Sequence, residues 1–199
     1  MSYSRLKKLL RSTGIVFGLL IAAWIGWGIF MSTSTPEPPY QIVQTLGSDV
    51  EVRKYESQTW ISASAGEDNS SFRILASYIF GDNAQEQRIA MTAPVISDER
   101  MSFILPEDLS EATAPSPNGQ AIEFKGVPAR KVATIRFSWW TTNERVKSYT
   151  RTLLKTLDQN QVDTIGDPFL MRYNDPWTPP FMRRNEIGIV VAEAVKSTS

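Results

Sequence analysis

The 199 residues of the chain include no cysteine and no histidine. Disulfides, thiolate nucleophiles, Ser-His-Asp triads, zinc fingers, iron–sulfur clusters and His-ligated metals are excluded together. The missing cysteine leaves the redox compartment open, since a cysteine-free chain suits any of them. No acid occurs before residue 37, whereas four of the 21 basic residues, Arg5, Lys7, Lys8 and Arg11, lie before residue 12. The zero formal charge therefore hides an asymmetry, with 17 basic residues set against 21 acidic ones in the rest of the chain. A mildly acidic body without a basic stripe argues against a nucleic-acid partner. No G-x-S-x-G, phosphate-binding glycine loop or spaced carboxylate cage is present, so the expectation is a binding protein, not an enzyme, without a metal site.

With 42% hydrophobic and 21% charged residues, the composition suits one globular domain of roughly 150–170 residues and a short appendage. The appendage is visible as Gly14 to Met31, 18 residues without a charge. That length approaches the hydrocarbon span and exceeds most signal-peptide cores. Cations before it and Ser-Thr-Ser-Thr-Pro-Glu after it orient the N-terminus to the cytoplasm and the domain outward, into a periplasm where the host has one. Trp24 and Trp27 then fall toward the outer interface. An uncleaved single-pass anchor is the expectation; a cleaved signal is the alternative.

The expected organisation is a basic tail over 1–13, the anchor over 14–31, a Pro-rich spacer over 32–39, the domain over 40–194 and a tail over 195–199. Strands are expected at Ile42 to Thr45, Val50 to Tyr55 and Trp60 to Ala63, with a turn at Gly47-Ser48-Asp49. Phe72, Leu75, Ala76 and Ile79 recur at helical spacing, and Gly81 stops that helix. Ile89 to Val95 and Met101 to Leu105 read as strands, 106–120 as a polar loop and Val127 to Trp139 as one strand. Thr141-x-x-Glu144 reads as a capping box for a helix with Val146, Tyr149, Leu153 and Leu157 on one face. Phe169 to Asn174 and Glu186 to Ala192 close the domain as strands. Each half is strand–helix–strand–strand and opens with V-x-x-R-K (Val50 to Lys54, Val127 to Lys131). Two packed copies of that unit make an α+β antiparallel sheet or open barrel with two helices.

Several strings resemble one family, the SOUL/haem-binding proteins. They are V-E-V-R-K-Y (Val50 to Tyr55) with Trp60-Ile61-Ser62-Ala63-Ser64 downstream, Ile89-Ala90-Met91-Thr92-Ala93-Pro94-Val95, and Tyr173-Asn174-x-Pro176 followed by Arg183-Arg184-Asn185-Glu186-Ile187. The resemblance runs from about Tyr40 to Val191. It implies a distorted antiparallel β-barrel with two helices from a duplicated βαββ unit, shared with effector-binding domains of the GyrI-like type. It also implies non-covalent binding of haem or another porphyrin in a hydrophobic cleft beside the domain's first helix.

The position where family members carry a proposed axial histidine is Lys54 here, so the resemblance leaves binding by packing and propionate contacts. Lys54, Tyr55, Tyr78 and Met91 are the chemically possible iron ligands. Phe72, Arg73 and Ala76 are carried over as the helix edge facing the ligand, with core packing as the alternative for that stripe. The apolar Trp177 to Met182 loop covers either the pocket mouth or the core. Lys54, Phe72, Arg73, Ala76, Met91 and Trp177 make up the expected cofactor-binding set. Trp139-Trp140 reads as packing, with membrane-surface contact as the alternative. Carriage, buffering or sensing of a tetrapyrrole is the expected role. A different flat or amphipathic ligand, or tetrapyrrole modification, are the alternatives.

Overall fold

A computed structural model describes residues 3–63, 68–119 and 121–192. Ser64, the end of the expected domain at 193–194 and the tail over 195–199 lie outside the described residues. Helix α1 (Tyr3–Ser34) runs unbroken through the uncharged segment. Its window Thr13–Phe30 has mean hydropathy 1.9 and is long and apolar enough to cross a membrane, a property shared with signal sequences. The helix persists into the expected spacer. Residues 36–39 then run against the domain, with Pro36 O accepting from Ala93 N at 2.9 Å and Glu37 meeting Arg184 at 2.9 Å.

The domain is α+β. Among the described residues it has nine strands: β1 (Tyr40–Leu46), β2 (Val50–Tyr55), β3 (Gln58–Ala63), β4 (Val95–Ser97), β5 (Met101–Ile104), β6 (Ile122–Val127), β7 (Arg130–Phe137), β8 (Thr164–Arg172) and β9 (Asn185–Val191). Helix α2 (Asp68–Ile79) lies on β3 and β5, and α3 (Asn143–Gln159) on β7, β8 and β9. All pairings are antiparallel, in the order β1-β2-β7-β9-β8-β4-β5-β3-β6. This is one sheet that does not close into a barrel, since β1 and β6 remain edges. Side chains bridge the gap that backbone does not: Arg130 of β7 donates to Gln58 Oε1 of β3 at 3.4 Å and stacks over Trp60 at 4.9 Å.

Without β1, the strand order reads identically from either end once β2 is matched with β6, β7 with β3, β9 with β5 and β8 with β4. The repeat is therefore ββαββ, one strand longer per half than the sequence pattern indicates. The V-x-x-R-K match does not follow it: Val50 to Lys54 lies within β2, whereas Val127 ends β6 and Arg130-Lys131 begins β7. The strand expected over 127–139 is β7 alone, Arg130–Phe137: Val127 closes β6, and Pro128 between them supplies no N–H for a ladder.

Ile89 to Pro94 is not a strand. Ile89 N donates to Ile79 O at 2.8 Å, Ala93 N to Pro36 O at 2.9 Å, and Pro94 has no N–H, so a ladder begins only at Val95. Helix α3 is capped by Thr142, not Thr141: the Thr142 hydroxyl accepts from Arg145 N at 3.3 Å. Thr142 holds the extended φ/ψ that an N-cap needs.

The interior divides as the repeat does. Leu153 and Leu157 of α3 bury into a cluster with Ile135, Ile187 and Ile189, with Val146 and Tyr149 packed on its margin. Leu75, Tyr78 and Ile79 of α2 bury with Ile61, Met101 and Phe103. Each fully buried aliphatic side chain contributes about 1.5–3 kcal/mol, so each helix is held chiefly by its stripe. Between the two lies a third cluster of Trp60, Ile96, Ile104, Met171 and Tyr173, where the curled sheet faces itself.

Candidate functional site

Alternation along the central strands aims aromatic side chains into the concave face of the sheet. Tyr40 (β1), Tyr55 (β2), Trp60 (β3), Phe169 (β8) and Tyr173 surround an interior cavity of about 20 Å³. That is room for a water, not for a large ligand. Beside it opens a groove of about 1190 Å³, sharing Glu37, Pro38, Gln58 and Ile104 with the cavity. Its walls are Pro36 to Pro39, Glu56 to Thr59, Ile104 to Glu107 with Leu109 and Ser110, and Gly126 to Pro128. The groove is in or above the size class of small-molecule sites, about 300–1,000 Å³.

The electrostatics are uneven. Among the described residues lining the two spaces, Arg130 is the only cation; Glu37, Glu56 and Glu107 are the acids. Burial pushes the Arg130 guanidinium down to about 10, with the Tyr55 hydroxyl working weakly in the other direction. It stays protonated at neutral pH, stacked on Trp60 and donating to the Pro128 and Gln58 oxygens. Burial raises Tyr55 above the usual tyrosine value, the nearby Arg53 only partly opposing it.

Behind the aromatic wall lies a buried charge network. Glu186, fully buried, accepts from Arg53 Nη1 at 2.6 Å, Arg53 Nη2 at 3.2 Å, Arg184 Nε at 2.8 Å and the Tyr173 hydroxyl at 3.0 Å. Burial alone pushes its carboxyl up, but the hydrogen bonds and charges of Arg53 and Arg184 prevail and hold it below the ordinary glutamate value. Arg53 stacks on Tyr40 at 4.5 Å and Arg184 on Tyr173 at 3.7 Å. The network thereby fixes two of the aromatic side chains that line the cavity.

The expected site residues lie elsewhere. Lys54 is on the outer side of β2, ion-paired with Glu56 at 3.4 Å. Phe72 packs edge-on against Phe103 at 5.4 Å, Arg73 is exposed, and Ala76 is buried in the α2 cluster, with Met91 half-buried against it. Trp177 is exposed on the loop between β8 and β9. Phe72, Ala76 and Met91 thus gather around α2, Lys54 and Trp177 apart from them, and none of the six lines the cavity or the groove. Of the possible iron ligands, Tyr78 donates its hydroxyl to Pro115 O at 2.7 Å and only Tyr55 reaches a cavity.

The sequence reading missed Arg130, Trp60, Gln58 and Gly126 as lining residues. Period-two alternation was the available signal: Arg130 and Val132 share one face of β7, as Gln58 and Trp60 share one face of β3. Among the described residues no group of three or more acidic side chains is placed to hold a metal ion.

Comparison with solved structures places the fold. The C-terminal domain of EcmrR superposes with TM-score 0.53 at 16% identity, over 77% of this chain and 98% of that one. EcmrR in a complex with DNA gives 0.53 at 14% identity, over 95% of this chain and 71% of that one. A hydrolase from Listeria innocua gives 0.51 at 9% identity, over 80% and 95%. At these identities the likeness is one of fold. No curated protein matches the chain. The sequence profile of the SOUL heme-binding proteins matches residues 35–190, from the end of α1 to the last strand. The chain belongs to the SOUL heme-binding protein family.

Proposed function

We propose that this protein is a single-pass, membrane-anchored SOUL protein that binds haem or a related porphyrin in the groove beside Arg130, for carriage, buffering or sensing and not for catalysis. The groove of about 1190 Å³, continuous with an aromatic interior, carries the reading. A flat macrocycle buries its faces against Ile104, Leu105, Leu109 and Val127, at about 25 cal/mol per Å² gross. Arg130 lines the adjoining cavity and not the groove, so a peripheral carboxylate meets its planar fork by reaching past the shared Gln58 and Ile104.

The donor set fits a porphyrin held by packing. It does not fit a strong axial ligand to iron: there is no histidine or cysteine, and burial keeps the Tyr55 hydroxyl protonated. The anchor reading rests on α1, on its four flanking cations and on an apolar window that the domain leaves almost wholly exposed. In it the N-terminus is cytoplasmic and the domain lies on the opposite side. A second reading, a flat organic cation in the same groove, is favoured by Glu37, Glu56 and Glu107 along its walls.

Hemin titration of the full chain in nanodiscs, followed in the Soret region, tests the proposal. Saturable, stoichiometric binding is expected. A Cβ added at Gly126 meets no atom, so Gly126→Trp has room to start into the groove and is expected to obstruct binding. Arg130→Gln weakens it about tenfold, the worth of one charged hydrogen bond. A linear, non-saturating response overturns the haem reading. Saturable binding of a flat organic cation, blocked by Gly126→Trp, then installs the second.

A further inference from the structure

Four large side chains outside the groove stand in solvent: Trp139 at 50% exposure, Trp140 at 53%, Trp177 at 75% and Phe181 at 50%. They lie on two loops, 138–142 between β7 and α3 and 175–184 between β8 and β9. Single exposed aromatics on a domain surface need no explanation; a cluster does. The Trp139 and Phe181 rings are 6.5 Å apart, and Arg183 stacks over Trp140 at 4.2 Å.

The cluster is rigidly built. Trp139 N donates to Pro180 O at 2.8 Å and Asn185 Nδ2 to Trp139 O at 2.9 Å, which ties the loops together. The Asp175 carboxylate accepts from Trp177 N at 2.7 Å and from the Thr178 hydroxyl at 2.7 Å. Arg183 closes the same loop through Thr178 O at 2.9 Å and Pro176 O at 2.6 Å. Trp139 is held at φ 75°, a left-handed conformation that a bulky residue adopts only when its surroundings impose it. The indole it positions is half-exposed and lies beside Phe181.

The same loop rests on α1. Trp24 Nε1 donates to Trp177 O at 2.7 Å, and Gly28 leaves so little room that a Cβ there would stand 2.8 Å from Pro179 Cδ. Both positions lie inside the apolar window Thr13–Phe30. Trp24 precedes the end of that window by six residues, about 9 Å along the axis. In a helix that spans the bilayer Gly28 then lies about 3 Å and Trp24 about 9 Å inside the outer end of the window, so a loop touching both reaches the boundary between headgroups and acyl chains.

We propose that Trp139, Trp140, Trp177 and Phe181 form a foot embedded in the outer leaflet's interface, holding the domain against the bilayer. The inference rests on the reading of α1 as a span. Indoles favour the headgroup–acyl boundary, where an apolar ring body and a polar N–H are both accommodated. The Arg183 guanidinium beside Trp140 is placed for lipid phosphate.

The cysteine-free sequence makes the test clean. Single-cysteine variants of the full chain, Trp177→Cys, Phe181→Cys, Leu20→Cys within the span and Asp158→Cys at the far end of α3, are labelled with a nitroxide. They are reconstituted in vesicles of phosphatidylcholine and phosphatidylglycerol. Collision accessibility to oxygen against a water-soluble nickel chelate is then read at each site. Labels at 177 and 181 are expected to show an oxygen-to-nickel ratio several-fold above that at 158, approaching that at 20. A membrane-buried label at 20, with labels at 177 and 181 matching 158, overturns the foot and leaves the anchor standing. A nickel-accessible label at 20 overturns both. Labels at 177 and 181 shielded from oxygen and nickel alike mean that a protein covers the patch, which also overturns the proposal.

Discussion

Removal of the Glu186 carboxylate is the most searching perturbation of this fold. Arg53 and Glu186 come from strands 133 residues apart in sequence and meet with 5% and 0% side-chain exposure. Glu186→Gln keeps the size of the side chain but withdraws the charge that Arg53, Arg184 and the Tyr173 hydroxyl share. Arg53 is left buried with only Glu51, at 2.7 Å, as a carboxylate partner. Breaking one side of a buried pair costs about 3–5 kcal/mol, because the stranded charge has lost both water and its counter-ion. For a protein of this length that lowers Tm by about 6–20 °C.

The assay is thermal unfolding of the full chain in nanodiscs, followed by near-ultraviolet circular dichroism. The double variant Arg53→Met/Glu186→Leu removes both charges, so its loss is expected to fall short of the losses of Arg53→Met and Glu186→Leu combined by more than about 1.5 kcal/mol. A Glu186→Gln loss below about 1 kcal/mol, or strict additivity in the double variant, refutes the view that this network is desolvated and coupled.

The same network sets the pH range of stability. The Glu186 carboxyl lies below the unfolded glutamate value of about 4.3, so its contribution is complete above that pH and is lost as pH falls through the folded value. Burial raises Tyr55 and Tyr173, so stability is complete below the unfolded tyrosine value of about 10 and declines as pH rises through their folded values. Urea midpoints against pH are expected to show both limbs, the acid one absent from Glu186→Gln. Thr142→Ala removes the cap of α3 and is expected to cost about 0.5–2 kcal/mol, with Thr141→Ala within about 0.5 kcal/mol of the parent, by chemical denaturation. Gly188 lets Phe169 and Met171 cross β9, since a Cβ there would lie 2.9 and 2.8 Å from their side chains. Gly188→Val is therefore expected to cost about 1–3 kcal/mol by overpacking, whereas Gly126→Val, in open space, leaves Tm nearly unchanged.

Much of the fold was legible in local pattern. Helix α3 follows from Val146, Tyr149, Leu153 and Leu157, and α2 from Phe72, Leu75, Ala76 and Ile79, because a 3.6-residue period survives in the sequence whatever the helix packs against. The strand expected at Ile89 to Val95 failed because its apolar character was real but its backbone partners were α2 and the spacer, not a strand. The Thr141 box failed for a local reason: Thr141 and Thr142 are adjacent candidates, and φ/ψ chose between them.

For the site, the family strings located the domain, and the residues carried over from them lie apart from the cavity and the groove. Phe72, Ala76 and Met91 cluster around α2, while the groove opens between the spacer and the 104–110 and 126–128 segments. Alternation names the two faces of each strand without saying which strand lies opposite. Arg130 therefore becomes a cavity-lining residue only once β7 and β3 curl toward each other over Trp60.

By itself the sequence determined the apolar helix, because length and hydropathy are summed within one segment and need no partner. It also determined two amphipathic helices, most strand positions and the family. The tertiary structure alone decided the nine-strand order, the open edges at β1 and β6, the burial of Glu186 between two arginines and the contact of α1 with the Trp177 loop. These are pairings between residues distant in sequence. Their energy comes from desolvation and close approach, quantities that do not exist until the chain has folded.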